Sequence, residues 1–218
     1  MKKIILLTMA AGLNLLLFSQ SDKYVKTMEQ RVPAVDTMRS TDGLIELSNT
    51  FERIADAEKT QWLPYYYAAL TQVSAGYNYA DGANGGAASK IDPIADKAEL
   101  LIDKAIGLAM DNSEILCVKK MIASLRMMAD PMNRYMQFGP LAAAALAKAK
   151  SMDSENPRVY LLEAQDKYFT PEQFGGSKVE AKKLFELSLN KYETFKPESS
   201  IHPTWGKAQV SYFLTQPF

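Results

Sequence analysis

Reactive side chains are scarce in this 218-residue chain: Cys117 is its one cysteine and His202 its one histidine. A single thiol excludes an intramolecular disulfide, so the core alone must hold an exported fold. Cys117 lies between Leu116 and Val118 in an apolar run, the setting of a buried, inert thiol rather than a nucleophile. With one histidine, His-rich zinc sites and repeated CxxC pairs cannot be assembled, and neither a metal nor a cofactor is expected. His202 follows Ser199 and Ser200 in SSIHPTW, but no strained nucleophile elbow surrounds them, so packing or capping of a joint is its expected role. Paired carboxylates need no histidine, yet the acids sit beside lysines, as in DKAELLIDKA, which reads as solvated helix faces. Charge of one sign is also lacking, with 25 basic and 25 acidic residues, which argues against a nucleic-acid binder. No period-two strand pattern stands out anywhere.

The start of the chain has the layout of a secretory signal. Lys2 and Lys3 precede the apolar run Ile4 to Phe18, which is too short to span a bilayer comfortably. A signal peptide over residues 1–20 is expected, cut near Ser19 or Gln20, with an uncleaved membrane anchor as the alternative. Its removal leaves 23 basic against 25 acidic residues, about −2 in net charge. The expected product is one domain, residues 21–218, with no further membrane span, in the periplasm or cell envelope.

What the remainder offers is helical periodicity. Leu47, Phe51 and Ile54 recur at i, i+4 and i+7, and so do Ala98, Ile102 and Ala105; Ala142, Leu146 and Ala149; and Ala181, Phe185 and Ser188. Each set gives its helix a narrow face of small and medium residues that another helix can approach closely. Companion helices are expected from Trp62 to about Tyr77, Ser113 to Met128, Arg158 to Tyr168 and Thr204 to about Leu214. Short polar joints make successive helices antiparallel, and stacked hairpins bury stripes that one hairpin cannot.

The pattern Ala-x3-aromatic or aliphatic-x2-small resembles the second half of a tetratricopeptide repeat, best at Ala181, Phe185, Ser188 and Leu189. Trp205 with Tyr212 resembles an opening half. Together with WLPYYYAAL, NPRVYLLEAQ, TPEQFGG and HPTWG, the chain resembles exported tetratricopeptide-like proteins of the Bacteroidota. The resemblance implies an all-α, tetratricopeptide-like fold of antiparallel hairpins stacked as a short right-handed superhelix, an α-solenoid that binds another molecule on its concave side. The repeat-ending proline is missing after Leu108, and the joints carry insertions.

Two glycine clusters precede helices. In FGGSKVEAKK, Ser177 and Glu180 have capping-box spacing, and the lysine follows the serine, so a turn is expected rather than a phosphate loop. The stretch from Tyr79 to Asp92 reads as a flexible insertion or a lid, with Asp92 and Pro93 opening the next helix. Tyr65, Tyr66 and Tyr67 are about 100° apart around a helix, so at least one is expected to be partly exposed or to lie against a neighbouring repeat. With Tyr77 and Tyr79 they either fill the gap between hairpins, the favoured reading, or line a groove suited to peptides or small organic ligands. With Arg158, Gln165, His202 and Trp205 they form the expected binding set. Non-catalytic binding of a protein or peptide is the first functional reading. The alternative is a small-organic-ligand-binding accessory subunit of a periplasmic transport system. The Ala-x3-Phe stripe yields a test of the packing: Ala181→Glu should lower the melting temperature by several degrees, and an unchanged value would overturn it.

Overall fold

The computed structural model describes residues 22–80 and 88–218. The expected signal peptide and the centre of the 79–92 stretch lie outside the described residues. The elements are α1 (Asp22–Arg31), α2 (Ala34–Thr37), α3 (Thr41–Glu58), α4 (Trp62–Ala80), α5 (Ala88–Ala109), α6 (Ser113–Ala129), α7 (Pro131–Met152), α8 (Pro157–Phe169), α9 (Lys178–Thr194) and α10 (Lys207–Leu214), with one 3-10 turn, Glu172–Phe174. Every regular element among the described residues is a helix, with no strand.

Local chemistry sets several helix starts. Ser40 accepts the Gly43 amide at 3.3 Å, Asn112 that of Ile115 at 2.9 Å, and Asn156 that of Arg158 at 3.0 Å. Each satisfies one of the amides that a helix N-terminus leaves open. Ser177 accepts the Glu180 amide at 3.2 Å, but the Glu180 carboxylate turns to Lys167 at 2.9 Å instead of closing the capping box. The glycines ahead of it form a turn: Gly175 has φ 92°, and a Cβ on Gly176 would collide with the Thr170 carbonyl oxygen. Two starts differ from the sequence pattern. Helix α5 begins at Ala88, so Pro93 lies inside it and Asp92 is no cap; the Asp92 carboxylate holds Arg134 of α7 through two hydrogen bonds, at 2.6 and 2.9 Å. Helix α10 begins only at Lys207, after Gly206 at φ 104°, which leaves Trp205 in the preceding turn.

The small-residue stripes lie in the core: Ala98, Ile102 and Ala105, Ala142, Leu146 and Ala149, and Ala181, Phe185 and Ser188 are all buried. Ser48 of α3 donates to the Ala68 carbonyl at 2.9 Å, and Ser188 of α9 donates to the Pro157 carbonyl at 2.8 Å. A small side chain at that position thus lets two helix backbones meet and supplies a bond between them. Helix α4 is buried on every side, with 13 of its 19 residues in the core, as befits a helix with neighbours all round.

The charged centre of the core is Glu114, in the first turn of α6. It accepts the Tyr66 hydroxyl at 3.1 Å, the Asn156 side-chain amide at 2.9 Å, and Arg158 Nε at 2.8 and 2.9 Å; Arg158 Nη2 also donates to it. Trp205 Nε1 donates to the Tyr66 hydroxyl at 2.7 Å, and the Tyr192 hydroxyl donates to the Trp205 carbonyl at 2.7 Å. Burial opposes the charge on the fully buried Arg158, but the adjacent Glu114 carboxylate wins and holds the guanidinium protonated. Its Nη1 has no hydrogen-bond partner; the guanidinium instead faces the rings of Phe195 at 4.6 Å and Trp205 at 5.8 Å.

Residues 199–206 return to the first helices as a clasp. Tyr67 donates to the Ile201 carbonyl at 2.9 Å, Ser200 to Glu29 at 2.7 Å, and the Gly206 amide to Asp36 at 3.3 Å. His202 packs edge-on against Trp62, 6.1 Å between centroids, with Nδ1 2.8 Å from Ser199 Oγ and Nε2 3.2 Å from Glu198.

Two predictions follow from this core. Glu114→Ala should cost about 3–5 kcal/mol in urea denaturation by leaving Arg158 buried and uncompensated, whereas Glu114→Leu/Arg158→Leu should cost less than the single change. Burial lowers the His202 pKa from 6.5, with Glu198 opposing. The unfolded chain therefore binds the proton first as pH falls. The stability that neutral His202 contributes is complete above the unfolded pKa and lost as pH drops through the lower folded one. Thermal melts from pH 8 to 5 should show that loss, and His202→Gln should flatten that part of the profile.

Candidate ligand-binding surfaces

The expected binding set is partly brought together, but inside the protein. Tyr66, Arg158 and Trp205 belong to the network around Glu114, and Tyr67 packs edge-on against Tyr66, 5.1 Å between centroids. Tyr65 is buried too, its hydroxyl donating to Asp56 at 2.7 Å, and burial followed by that acceptor pushes its pKa up to about 12. Of the readings open for the three tyrosines, the exposed ring and the groove are not found: α4 is surrounded, and all three pack against neighbouring elements as rings that fill the gap between hairpins do. Burial, foremost, also raises the pKa values of Tyr66 and Tyr67 well above the ordinary range, leaving them neutral donors. Arg158 pairs with Glu114, and Glu155 with Lys191 at 2.9 Å. Gln165 lies apart, 3.5 Å from Gln209. His202 has both ring nitrogens engaged. Glu114 escaped the sequence reading because nothing local marks it beyond an acid in a helix's first turn.

Beside Trp205 a gap remains between Val35, Asp36, Leu70, Ser74, Met121 and Gln209, with about 20 Å³ of space. That is room for a water molecule, not for a ligand. Among the described residues no cluster of histidine, cysteine and carboxylate side chains could hold a metal ion, and no helix is long and apolar enough to cross a membrane. Larger binding areas must lie on the outside, and three stand out.

The first is a cleft of about 300 Å³ between α1 and α3, walled by Lys23, Tyr24, Arg31, Arg53, Ile54 and Glu58. The second is an overhang of α7. Lys150 meets Glu163 at 2.7 Å and fixes the register of α7 on α8. Helix α8 ends six residues after Glu163, opposite about Ala144, so the first half of α7 projects roughly 20 Å beyond it at 1.5 Å per residue. Burial agrees, since only Ala142, Leu146 and Ala149 of α7 are buried, while Met132 and Met136 are 93% and 82% exposed. The nearby cations are committed, Arg134 to Asp92 and Arg126 to Asp96 at 2.8 Å.

The third surface is aromatic. Phe185 of α9 is buried and stacks on Phe213 of α10, 4.7 Å apart and 9° from parallel. Around this pair lie Tyr168 and Phe169 from the end of α8, 5.3 and 5.7 Å from Phe213. Phe218 is 5.7 Å from Tyr168, and Tyr212 is 5.7 Å from Phe213. The rings meet in edge-on and stacked geometries, as aromatic clusters do. Phe169 and Tyr212 nevertheless remain 67% and 60% exposed. Lys178 Nζ lies 2.9 Å from the Tyr168 ring centroid, and Lys182 Nζ 5.8 Å from that of Phe218.

No protein-family model matches the chain, and no curated protein matches it. Among solved structures it is similar to the HusA haemophore from Porphyromonas gingivalis, with 30% identity and a TM-score of 0.77, over 92% of this chain and 98% of that one. Identity at that level along nearly the full length of both chains, with the same helical fold, places this chain in the family of the HusA haemophore.

Proposed function

We propose that this protein is a non-catalytic haem-binding protein. The likeness to a haemophore, sustained over almost all of both chains, is the observation that carries this reading. It favours the small-molecule alternative drawn from the sequence over peptide binding. The tyrosine face of α4, which could take a peptide or a small organic ligand, is covered by Ile201, Trp205 and their neighbours, so a site for either lies elsewhere. An arrangement of stacked, tetratricopeptide-like hairpins, an export signal over residues 1–20, a single domain over 21–218 and a place in the periplasm or envelope belong to this reading.

Haem presents two broad apolar faces and two propionate carboxylates. A site for it needs an uncovered apolar or aromatic surface with cations at its edge. Exposed rings beside Lys178 and Lys182 meet both requirements. His202 is not offered as an iron ligand, since its nitrogens face Ser199 and Glu198 and its ring packs on Trp62.

The test is a titration of hemin into the purified protein, following the Soret band and the fluorescence of Trp62 and Trp205. Saturable, stoichiometric change is expected. A response no different from that of a non-binding helical protein would overturn the proposal.

A further inference from the structure

We infer that the aromatic surface at the ends of α8 and α10, with Lys178 and Lys182 of α9, is the landing site of the flat dicarboxylate ligand. Its rings stack against the macrocycle, and the two ammonium groups take the two propionates. This rests on the haem-binding reading and names the residues that would serve it.

Three features single this surface out. Its rings form one connected sheet of contacts anchored on buried Phe185, so the exposed faces of Phe169 and Tyr212 are held from behind rather than free to swing. A supported aromatic face is suited to stacking on a planar π-system. Second, Lys178 and Lys182 are four residues apart on α9, so they share one helix face a single turn apart. Third, both already lie over rings of the cluster, and neither is in an ion pair among the described residues. Lys167, Lys191 and Lys207, on or near the same helix, are paired with Glu180, Glu155 and Glu193. Two cations held at the edge of an aromatic face, with no carboxylate of their own, match a ligand that brings two carboxylates and an aromatic ring system.

The other surfaces lack one half of this chemistry. On the α7 overhang the apolar side chains are present, but Arg134 and Arg126 are bound to Asp92 and Asp96. The cleft between α1 and α3 has cations, but the ring in its wall, Tyr24, is almost completely buried, and Glu58 sits beside it. At about 300 Å³ it is also at the lower limit of small-ligand pockets.

Hemin titrations of the wild type, Lys178→Glu/Lys182→Glu, Phe169→Ser/Tyr212→Ser and Met132→Ser/Met136→Ser separate the possibilities, with circular-dichroism melts to check folding. The lysine reversal should weaken binding at least tenfold, the ring pair similarly, and the α7 pair less than twofold. Hemin dimethyl ester, which lacks the carboxylates, should bind the wild type and the lysine variant alike. If the wild type binds hemin but both altered aromatic-surface proteins bind as it does, or only the α7 variant is weakened, the inference is overturned and haem binding stands. If the wild type does not bind, the haem-binding reading itself falls. Should a variant fail to fold, amine acylation of the wild type decides: hemin should protect Lys178 and Lys182 relative to Lys90 and Lys148, and equal labelling with and without hemin would overturn the inference.

Discussion

One partly buried carboxylate organises this fold. Glu114 reaches α4 through the Tyr66 hydroxyl and α8 through Asn156 and Arg158, and through Tyr66 it touches Trp205 in the C-terminal clasp. Desolvating a carboxylate and a guanidinium costs several kcal/mol each, which their attraction offsets only when the remaining bonding capacity is also filled. Here it nearly is. Both carboxylate oxygens have several donors, and the one orphan nitrogen of Arg158 lies against aromatic faces. Such a pair adds little net stability relative to apolar residues. What it supplies is geometry, because its donors come from both α4 and α8 and are satisfied together in this alignment with α6.

The clasp is the direct consequence. Trp205 is drawn to the network by a bond to Tyr66, and it brings Ile201, His202 and Gly206 against α4 and the first helices. An array of hairpins left open along one side could offer a long groove to a peptide. In this chain Tyr66 and Tyr67 are occupied by the chain's own C-terminal segment and Tyr65 by Asp56 of α3, and the gap beside Trp205 has room for no more than a water.

How much of this was legible in the sequence follows from the range over which each force acts. The stripes at Ala98, Ala142 and Ala181 depend on residues within two turns, and they are buried as their spacing requires. The turn at Gly175 and Gly176 is similarly local. The first half of α7 was missed because PMNRYMQFGP has two prolines, a glycine and apolar residues in no single stripe, which obscures a helix that α6 supports through packing. Asp92 looked like a cap beside Pro93, but a bond to Arg134, 42 residues on, recruits it. Arg158 and Glu114 are 44 residues apart, and nothing local links them. The three tyrosines stayed ambiguous for a related reason: an angular argument shows that they point different ways, but not whether each direction is solvent or another helix.

The same packing explains why a ligand surface belongs outside. Burying a phenylalanine or tyrosine side chain gains about 1.5–3 kcal/mol, so exposed rings are a cost that a fold with spare interior would avoid. This interior has little to spare beside Trp205, where the gap is about 20 Å³. Phe169 and Tyr212 stay exposed although Phe213, their immediate neighbour, continues into the core through Phe185. Their outward placement, with two lysines lying over rings of the same cluster instead of pairing with the glutamates of α9, leaves apolar area and positive charge uncompensated at one place. A ligand that is flat, apolar on its faces and doubly anionic at its edge compensates both at once. A purely apolar partner would leave the lysines unanswered, and a purely anionic one would leave the rings in water.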